Sequence, residues 1–339
     1  MRTRDCRSSK NKRGAALLVS LWVLMILSLI VGSFAFEVAL EGMLVSRKKK
    51  RFKAEMLARS GVDYAKAIIE QNQRARELEI EEMDEDPDGF MQAALYVQRG
   101  LSTTSTLSIT NMGTFSVTIE SAENGRNVNT LQREQWVEIF EMANIPSTEW
   151  DTLIDCLEDW IDEGDLHGLN GAESDDPFYE EQGYPVKNGP LDSVEELLLI
   201  KHWTEDILYG KPADAEGDAI YGIADLLTVW GDGKVNLNSA TTNLLLSYAE
   251  YEEWELEGVM ESRKGLDGED GTLDDGIRSI EEVNADGSKF KLQSTFLKVT
   301  SIGNSGDTAY RIETIMQMQG SRPLIVYWNE KSEPKNSTR

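Results

Sequence analysis

The sequence is poor in the side chains on which most enzymes and disulfide-stapled secreted domains rely. It contains two cysteines, Cys6 and Cys156, and two histidines, His167 and His202, in 339 residues. If the segment carrying Cys6 is removed, no internal disulfide can form, and Cys156 in its apolar run is expected to be buried. With two imidazoles the chain is poor in histidine for a zinc site or for a Ser/His/Asp triad, and no nucleophile–base pair is visible.

Positive charge is the second shortage. Lys and Arg number 34 against 60 Asp and Glu, which gives a net charge of −26. Because nucleic-acid binders neutralise phosphates with Lys and Arg, this balance argues against a nucleic-acid partner and favours a cationic ligand. The chain also has no Gly-rich phosphate loop. Paired carboxylates can serve a glycosidase, but here they lie in loops without a visible cleft, so we expect no enzyme.

One long segment lacks charge altogether. No charged side chain occurs from Ala15 to Phe36, and at roughly 1.5 Å per residue a helix of this length spans about 33 Å, which matches a bilayer core. Basic residues dominate upstream and predict a cytoplasmic N-terminus, with the acidic body on the other side. A second run of Lys and Arg, between Arg47 and Lys53, opposes this orientation but lies farther from the span.

The junction between the basic leader and the apolar segment carries a motif. Lys12-Arg13-Gly14 directly precedes Ala15-Ala16-Leu17, and this resembles the site at which prepilin peptidase cuts type IV pilins and pseudopilins. The resemblance implies cleavage between Gly14 and Ala15 on the cytoplasmic side and methylation of the new terminus. It also implies a single-pass protein of the cell inner membrane with a periplasmic body.

Val19 departs from the pattern of that family. Most members have a glutamate five residues into the mature chain, where this sequence has Val19. A carboxylate in hydrocarbon is costly without a partner, and in pilin-like fibres that partner is thought to be a neighbour's terminal amine. A subunit at the tip has no neighbour ahead of it, and within the family the K-type minor pseudopilin typically lacks this glutamate.

Beyond the span, hydrophobic patterning predicts an α+β fold. The absence of proline and the helical spacing of apolar residues from Glu37 to about Ile80 predict a long stem that continues the membrane helix. Alternation from Thr106 to Glu120 predicts a half-buried strand, and the block from Phe296 to Trp328 is also β-rich. The helical runs predicted between these blocks are 132–143, 147–163, 194–199 and 240–261. Ser193 and Glu196 fit a capping box at the start of one of them.

The economical architecture is a long N-terminal helix on an antiparallel sheet, with an all-helical domain inserted between the strands. Two Asn-rich stretches at 124–130 and 232–239 echo each other, and both are interpreted as turns that enter helices. The predicted units are a cleaved leader (1–14), a transmembrane helix (15–36), a helical stem (37–80), the first part of the pseudopilin α/β domain (81–130), an inserted helical domain (131–232), a second helical segment with an acidic loop (233–295), C-terminal strands (296–330) and a disordered tail (331–339).

Several segments of the body resemble the K-type minor pseudopilins of type II secretion. They are Asp159-Trp160-Ile161-Asp162, Asn170-Gly171-Ala172-Glu173, the run from Lys187 to Leu198, and the run from Gly233 to Asn238. The resemblance implies sterile-alpha-motif-like subdomains in the insert and a place at the pseudopilus tip, where the protein helps to start assembly for export across the outer membrane. It further implies, as partners, the I- and J-type minor pseudopilins, the major pseudopilin, prepilin peptidase and the inner-membrane secretion platform.

Two other readings stay open at this point. The chain could be a minor pilin of a type IV pilus, although the large insert and the Asp192 to Leu198 motif argue against it. It could also be a membrane-anchored periplasmic calcium-binding protein or an enzyme with an acidic metal site.

Carboxylates concentrate in two loops. Calcium takes six to eight oxygens in flexible geometry, and the family resemblance implies calcium in the insert. The expected ligands in the first loop are Asp162, Asp165, Glu173, Asp175 and Asp176. In the second loop Asp270 and Asp274 belong to a run that loosely resembles an EF-hand, with its glycine out of register. A merely solvated acidic loop is the alternative at both places.

Overall fold

The computed structural model describes residues 12–71, 89–213, 218–248, 251, 253–320 and 322–334. Most of the predicted leader, the end of the predicted stem and the acidic stretch at 81–88 lie outside these residues. The same holds for the last five positions of the predicted tail.

The longest element is one unbroken helix, α1, which runs from Lys12 to Glu70 over 59 residues. At 1.5 Å per residue it is about 88 Å long. Its apolar first half contacts no other part of the described chain, whereas the stretch from Ala54 onward is buried on one side. The apolar segment therefore continues directly into the stem as one helix, as the spacing of apolar residues predicts.

The second half of α1 packs on a five-stranded antiparallel sheet in the order β1-β2-β9-β10-β11. The elements of this layer are α2 (Phe90–Gln98), β1 (Thr103–Ile109), β2 (Gly113–Ser121), β9 (Phe296–Ser305), β10 (Thr308–Gln319) and β11 (Arg322–Pro334). Alternate strand residues such as Val117, Val299 and Ile312 face the helix and form its core. The α+β class with a long helix on an antiparallel sheet is confirmed.

Helix and sheet approach closely at β9. A side chain on Gly303 would overlap the Ala54 carbonyl and the Ala58 N–H of α1. Two residues earlier, the Ser301 hydroxyl donates to the Ala58 carbonyl at 2.8 Å. Small residues at these two positions let the backbone of the helix lie directly on the strand, and the hydroxyl satisfies its own buried polar group.

The inserted segment leaves and re-enters the sheet at one point. In the ladder between β2 and β9, Ser121 faces Leu297, and the Ala122 N–H donates to the Phe296 carbonyl at 3.0 Å. The residues between them build a separate hydrophobic core around Phe140, Leu157 and Leu197. The predicted insertion between strands thus has a physical basis, since the two ends of the insert are neighbours across a strand ladder.

The insert consists of short elements. They are β3 (Arg126–Asn127), α3 (Arg133–Met142), α4 (Trp150–Ile161), α5 (Pro177–Gln182), α6 (Glu205–Tyr209), β4 (Gly210–Lys211), β5 (Ile220–Tyr221), β6 (Leu227–Thr228), β7 (Val235–Asn236), α7 (Thr242–Tyr248), α8 (Glu253–Ser262) and β8 (Phe290–Lys291), with 3₁₀ helices at Val194–Leu199, Ala224–Leu226 and Ile280–Val283. Three two-residue ladders, β3 with β6, β4 with β5 and β7 with β8, add strand pairing to a region predicted as all-helical.

The two Asn-rich stretches begin two copies of one structural unit. Asn127 accepts the N–H of Asn129 through its Oδ1 at 3.0 Å, and Asn236 accepts that of Asn238 at 2.9 Å. Each unit opens with a two-residue strand, β3 or β7, and closes with a parallel partner, β6 or β8. The echo in the sequence therefore reflects an internal repeat.

The second asparagine of each stretch holds a later segment of its unit. The side chain of Asn129 exchanges two hydrogen bonds with the backbone of Leu191, and Asn238 does the same with Ile277. A 3₁₀ helix follows each of these two positions, at Val194–Leu199 and at Ile280–Val283. These asparagines thus join the start of each repeat to the segment that leads into its 3₁₀ helix.

Four details differ from the predictions. First, the strand predicted from Thr106 to Glu120 is a hairpin, because Asn111 at φ 63° turns the chain between β1 and β2. Second, the helical runs differ in kind, since the one predicted at 240–261 contains two helices and the one at 194–199 is a 3₁₀ helix. Third, the strand β11 extends to Pro334, so residues 331–334 of the predicted tail belong to the sheet.

The predicted capping box at Ser193 is the fourth difference. The Ser193 side chain makes no capping hydrogen bond. The Glu196 carboxylate instead accepts the Asp192 N–H at 2.8 Å and the Trp160 indole N–H at 3.0 Å, and it pairs with Lys187 at 2.9 Å. Cationic and indole donors from outside the turn make charge-assisted bonds and draw the carboxylate away from the Ser193 backbone.

Candidate functional site: the apolar helix and the acidic loops

The apolar part of α1 is exposed along its whole length. Within the described residues it is the one helix long and apolar enough to cross a membrane, with a mean hydropathy of 2.5. Val19 is 62% exposed, and the large apolar side chains around it are similarly open. The predicted cleavage site at Gly14 and Ala15 lies in the first turn of the helix. An uncovered apolar surface of this length is compatible with a single-pass membrane anchor.

The basic run that follows the span is partly structural. The Lys50 ammonium lies 2.9 Å from the Asp307 carboxylate, in the turn between β9 and β10. Lys53 donates to the Asn111 carbonyl, in the turn between β1 and β2, at 2.8 Å. These two lysines therefore connect α1 to two turns of the sheet.

The first acidic loop is held by two carboxylates of α4 that the sequence did not single out. Asp159, almost fully buried, accepts the Gly168 N–H on both oxygens at 2.9 and 3.1 Å. Asp155 pairs with Arg133 at 2.8 Å and accepts the backbone and side-chain N–H groups of Asn170 at 3.1 and 2.9 Å. Their separation by four residues in the helix places both on the face toward the loop, and this spacing is a usable signal.

Glu173 is the most unusual residue of this loop. Its side chain is 4% exposed, and its Oε1 atom has no hydrogen-bond partner among the described residues. Burial raises the pKa of its carboxyl group, and Asp159, Asp162 and Asp165 raise that pKa further. Burial also raises the pKa of Asp159, against the backbone N–H groups that it accepts. An unpartnered buried carboxylate among like charges is costly and favours a bound cation.

The other predicted ligands of the first loop are differently engaged. Asp162 accepts the Gly164 N–H at 2.7 Å, and Asp165 and Asp175 are exposed. Asp176 caps α5 through the Phe178 N–H and pairs with Lys201 at 2.7 Å, which lowers its pKa. Over the described ranges, no group of three or more His, Cys, Asp or Glu side chains is close enough to hold a metal ion. The loop thus offers carboxylates without a preassembled ligand shell.

In the second acidic loop the carboxylates are occupied by the chain itself. Asp274 accepts the Thr272 hydroxyl at 2.8 Å and the backbone N–H groups of Leu266 and Asp267, and these bonds lower its pKa to about 2. Asp270 is exposed and lies 3.8 Å from the Lys264 ammonium. The neighbouring Asp275, which sequence reasoning passed over, is buried against the Tyr96 hydroxyl at 2.9 Å. These carboxylates therefore already have hydrogen-bond donors or a cation from the protein as partners.

Comparisons with known proteins agree with this architecture. A family model described as type II secretion system (T2SS), protein K, matches residues 109–209, which comprise β2 and most of the first repeat. A chain in the crystal structure of the GspK-GspI-GspJ complex from the enterotoxigenic Escherichia coli type 2 secretion system shares the fold. The TM-score is 0.52 and the identity 12%, over 83% of this chain and 99% of that one. No curated protein matches the sequence. Residues 109–209 of the chain thus match the protein K family of type II secretion.

Proposed function

We propose that this minor pseudopilin occupies the tip of the pseudopilus and helps to initiate its assembly for export across the outer membrane. The observation that carries the proposal is Val19, which lies on the exposed apolar part of α1 where most pseudopilins have a glutamate. A glutamate there pairs with the terminal amine of the subunit ahead. Without that carboxylate the chain offers no such contact and suits the position that has no subunit ahead.

The proposed setting follows from the same helix. The N-terminus lies in the cytoplasm, α1 crosses the inner membrane once, and the sheet with its insert is periplasmic. The related chain was crystallised with GspI and GspJ, and by analogy the partners here are the I- and J-type minor pseudopilins, followed by the major pseudopilin and the secretion platform. The role is structural and requires no catalysis by this chain.

Processing by prepilin peptidase is the first test. On co-expression with the peptidase, the mature chain should begin at Ala15, as read by mass spectrometry of the N-terminal peptide. Gly14→Val should retain the leader, because the bulkier residue replaces the small one before the cut. Gly32→Ala is the matched control, since Gly32 has open space around it. A chain that keeps Met1 despite active peptidase would contradict membership in the processed class.

The tip position is tested at Val19. Val19→Glu places a carboxylate in the apolar segment with no amine ahead of it, and a charge at the centre of such a span costs about 2.5–3.5 kcal/mol. We expect fewer pseudopili per cell and reduced secretion, with cleavage unchanged, while Val19→Leu behaves as wild type. If Val19→Glu assembles and secretes normally, or if the wild-type chain is found along the fibre shaft, the tip assignment is wrong.

We also propose that the first acidic loop binds calcium. The support is the unpartnered Glu173 oxygen together with the influence of Asp159, Asp162 and Asp165 on its pKa. Glu173, Asp162, Asp165 and Asp175 would supply carboxylate oxygens, and bound calcium would neutralise their mutual repulsion. Asp176 contributes less because Lys201 already neutralises it.

Thermal unfolding of the detergent-solubilised full chain tests this second proposal. Calcium at about 100 times its dissociation constant should stabilise the protein by about 2.7 kcal/mol, and magnesium should do less. Glu173→Gln should remove most of the shift, whereas Glu180→Gln, an exposed position in α5, should not. Asp274→Asn examines the weaker prediction for Asp270 and Asp274. No shift on adding calcium after chelation would remove the calcium proposal and leave the assembly role untouched.

A further inference from the structure

A groove of about 600 Å³ lies where α2 meets the second repeat of the insert. Its floor is apolar and includes the buried side chains of Leu95, Ile277 and Phe290. The charged side chains that line it are all cations, namely Arg99, Lys234, Arg278 and Lys291, and neither Asp nor Glu lines it. The chain as a whole has a net charge of −26, so the charge of this groove is opposite in sign to that of the protein.

Not all of these cations are free. Lys291 is neutralised by Glu123 at 2.9 Å and Asp232 at 2.8 Å, and Arg99 donates to the carbonyl oxygens of Leu273 and Asp275. Asp274 and Asp275 also lie close enough to Arg99 to influence its pKa. The positive character of the groove therefore rests mainly on the remaining two, Lys234 and Arg278.

Neither of those two cations forms an ion pair with a carboxylate in the described part of the chain. The Lys234 ammonium donates to the Gly287 carbonyl at 2.8 Å and lies close enough to Asp286 to help lower the pKa of that carboxyl group. Glu282 contacts the exposed Arg278 only through the backbone N–H, at 3.3 Å. After burial, the charge of Arg278 is the next influence that lowers the pKa of Arg99. Two guanidinium groups that line one groove thus repel each other, and an anion close to both would relieve that repulsion.

The apolar floor decides what kind of anion fits. Leu95, Ile277 and Phe290 present apolar surface to the groove, and a strongly hydrated inorganic anion gains nothing from such surface. A peptide supplies carboxylates for the cations and apolar side chains for the floor.

We propose that this groove docks an acidic, partly apolar peptide segment of a partner protein, with Arg278 and Lys234 contacting its carboxylates and the apolar floor contacting its apolar side chains. The assignment does not depend on the tip position or on calcium. Charge complementarity favours an acidic segment at this groove. The rest of the strongly acidic body would repel such a segment, so the groove is where it would bind.

The test uses the detergent-solubilised full chain and a fluorescent peptide of alternating Glu and Leu, about ten residues long so that it spans the groove. Fluorescence anisotropy should show binding that weakens between about 50 and 300 mM salt, while an uncharged Gln/Leu peptide of equal length should not bind. Arg278→Glu should weaken binding roughly tenfold or more, and Lys234→Gln should weaken it less. Arg322→Glu, an exposed arginine at the start of β11, should leave it unchanged.

Three outcomes would overturn the proposal. They are equal binding of the two peptides, unchanged affinity in Arg278→Glu, and displacement of the peptide by inorganic phosphate at the peptide's own concentration, which would indicate a simple anion site. The melting temperatures of the variants are measured alongside, because Arg278 is exposed and its substitution should not unfold the repeat.

Discussion

In the first acidic loop, the free-energy cost of burying negative charge is concentrated in the side chain of Glu173. Since its pKa is raised above the ordinary 4.5, the folded chain holds a proton that the unfolded chain has already released. Stability conferred through this group therefore falls as the pH rises from 4.5 through the raised value. Asp162, which lies nearby but is exposed, has the same charge without the same burial.

Glu173→Gln removes this charge while keeping the shape of the side chain. In the absence of calcium the variant should be more stable than wild type near neutral pH, with the difference shrinking toward pH 4.5. Urea unfolding at several pH values checks the trend. A constant difference across the range would mean that the ionised form is not the source of the cost.

Glu196 makes a contrasting prediction, because its carboxylate is fully used. Glu196→Ala leaves the Trp160 indole N–H and the Asp192 N–H without this acceptor and removes one of the two carboxylates that pair with Lys187, and it should destabilise the insert by about 2 kcal/mol. Glu195→Ala is the control next in sequence, at an exposed position, and should change stability by less than about 0.5 kcal/mol. Equal effects in denaturant unfolding would contradict the assigned contacts.

Composition alone could place Glu173 in a site, but it could not distinguish its role from that of Asp176. Both lie in one acidic run, yet one carboxylate is unpartnered and the other is neutralised by Lys201, which is distant in sequence. Asp155 and Asp159 were missed because they occur within an apolar helical run, where the hydrophobic pattern dominates the interpretation. Partners supplied from distant segments are what one sequence does not reveal.

Among the elements, the contact of α1 with β9 is the tightest. Gly303→Ala would drive a methyl group into the Ala54 carbonyl and the Ala58 N–H, so the helix must shift or the strand must bend. We expect a loss of about 2–4 kcal/mol in the free energy of unfolding. Thermal and urea unfolding of the full chain in detergent measure it.

Gly258→Ala is the matched control. Gly258 lies inside α8, with nothing within 4 Å of an added Cβ. Alanine there should stabilise the helix by about 0.5–1 kcal/mol. If Gly303→Ala were equally harmless, the close approach of helix and strand would be wrong.

Periodicity predicted the elements well where a pattern was long and uninterrupted, as in α1 and in the β-rich C-terminal block. It failed at the first hairpin, because Ile109 and Phe115 are six residues apart and the alternation therefore keeps its phase across the turn at Asn111. The two-residue ladders of the insert could not be predicted from periodicity, since the paired strands lie far apart in the chain.

For the whole molecule, the two separate cores predict two units with independent stability. Replacing residues 123–294 by a short Asn-Gly turn joins β2 to β9, which are already neighbours in the ladder. The shortened chain should retain α1 and the five-stranded sheet, with a cooperative melting transition by circular dichroism. The contacts of Arg99 and Tyr96 with the second repeat would be lost, so a lower melting temperature is expected. Complete loss of the transition would show that the sheet needs the insert.

The continuity of α1 has a mechanical consequence for assembly. Because apolar segment and body share one helix, each residue added between Leu40 and Val45 would advance the body by about 1.5 Å and rotate it by about 100° about the helix axis. Seven added residues, close to two full turns, would restore the original orientation of the body about this axis, whereas two would turn it by about 200°. The number of residues in the stem therefore sets the rotational orientation at which the sheet and its insert face their neighbours.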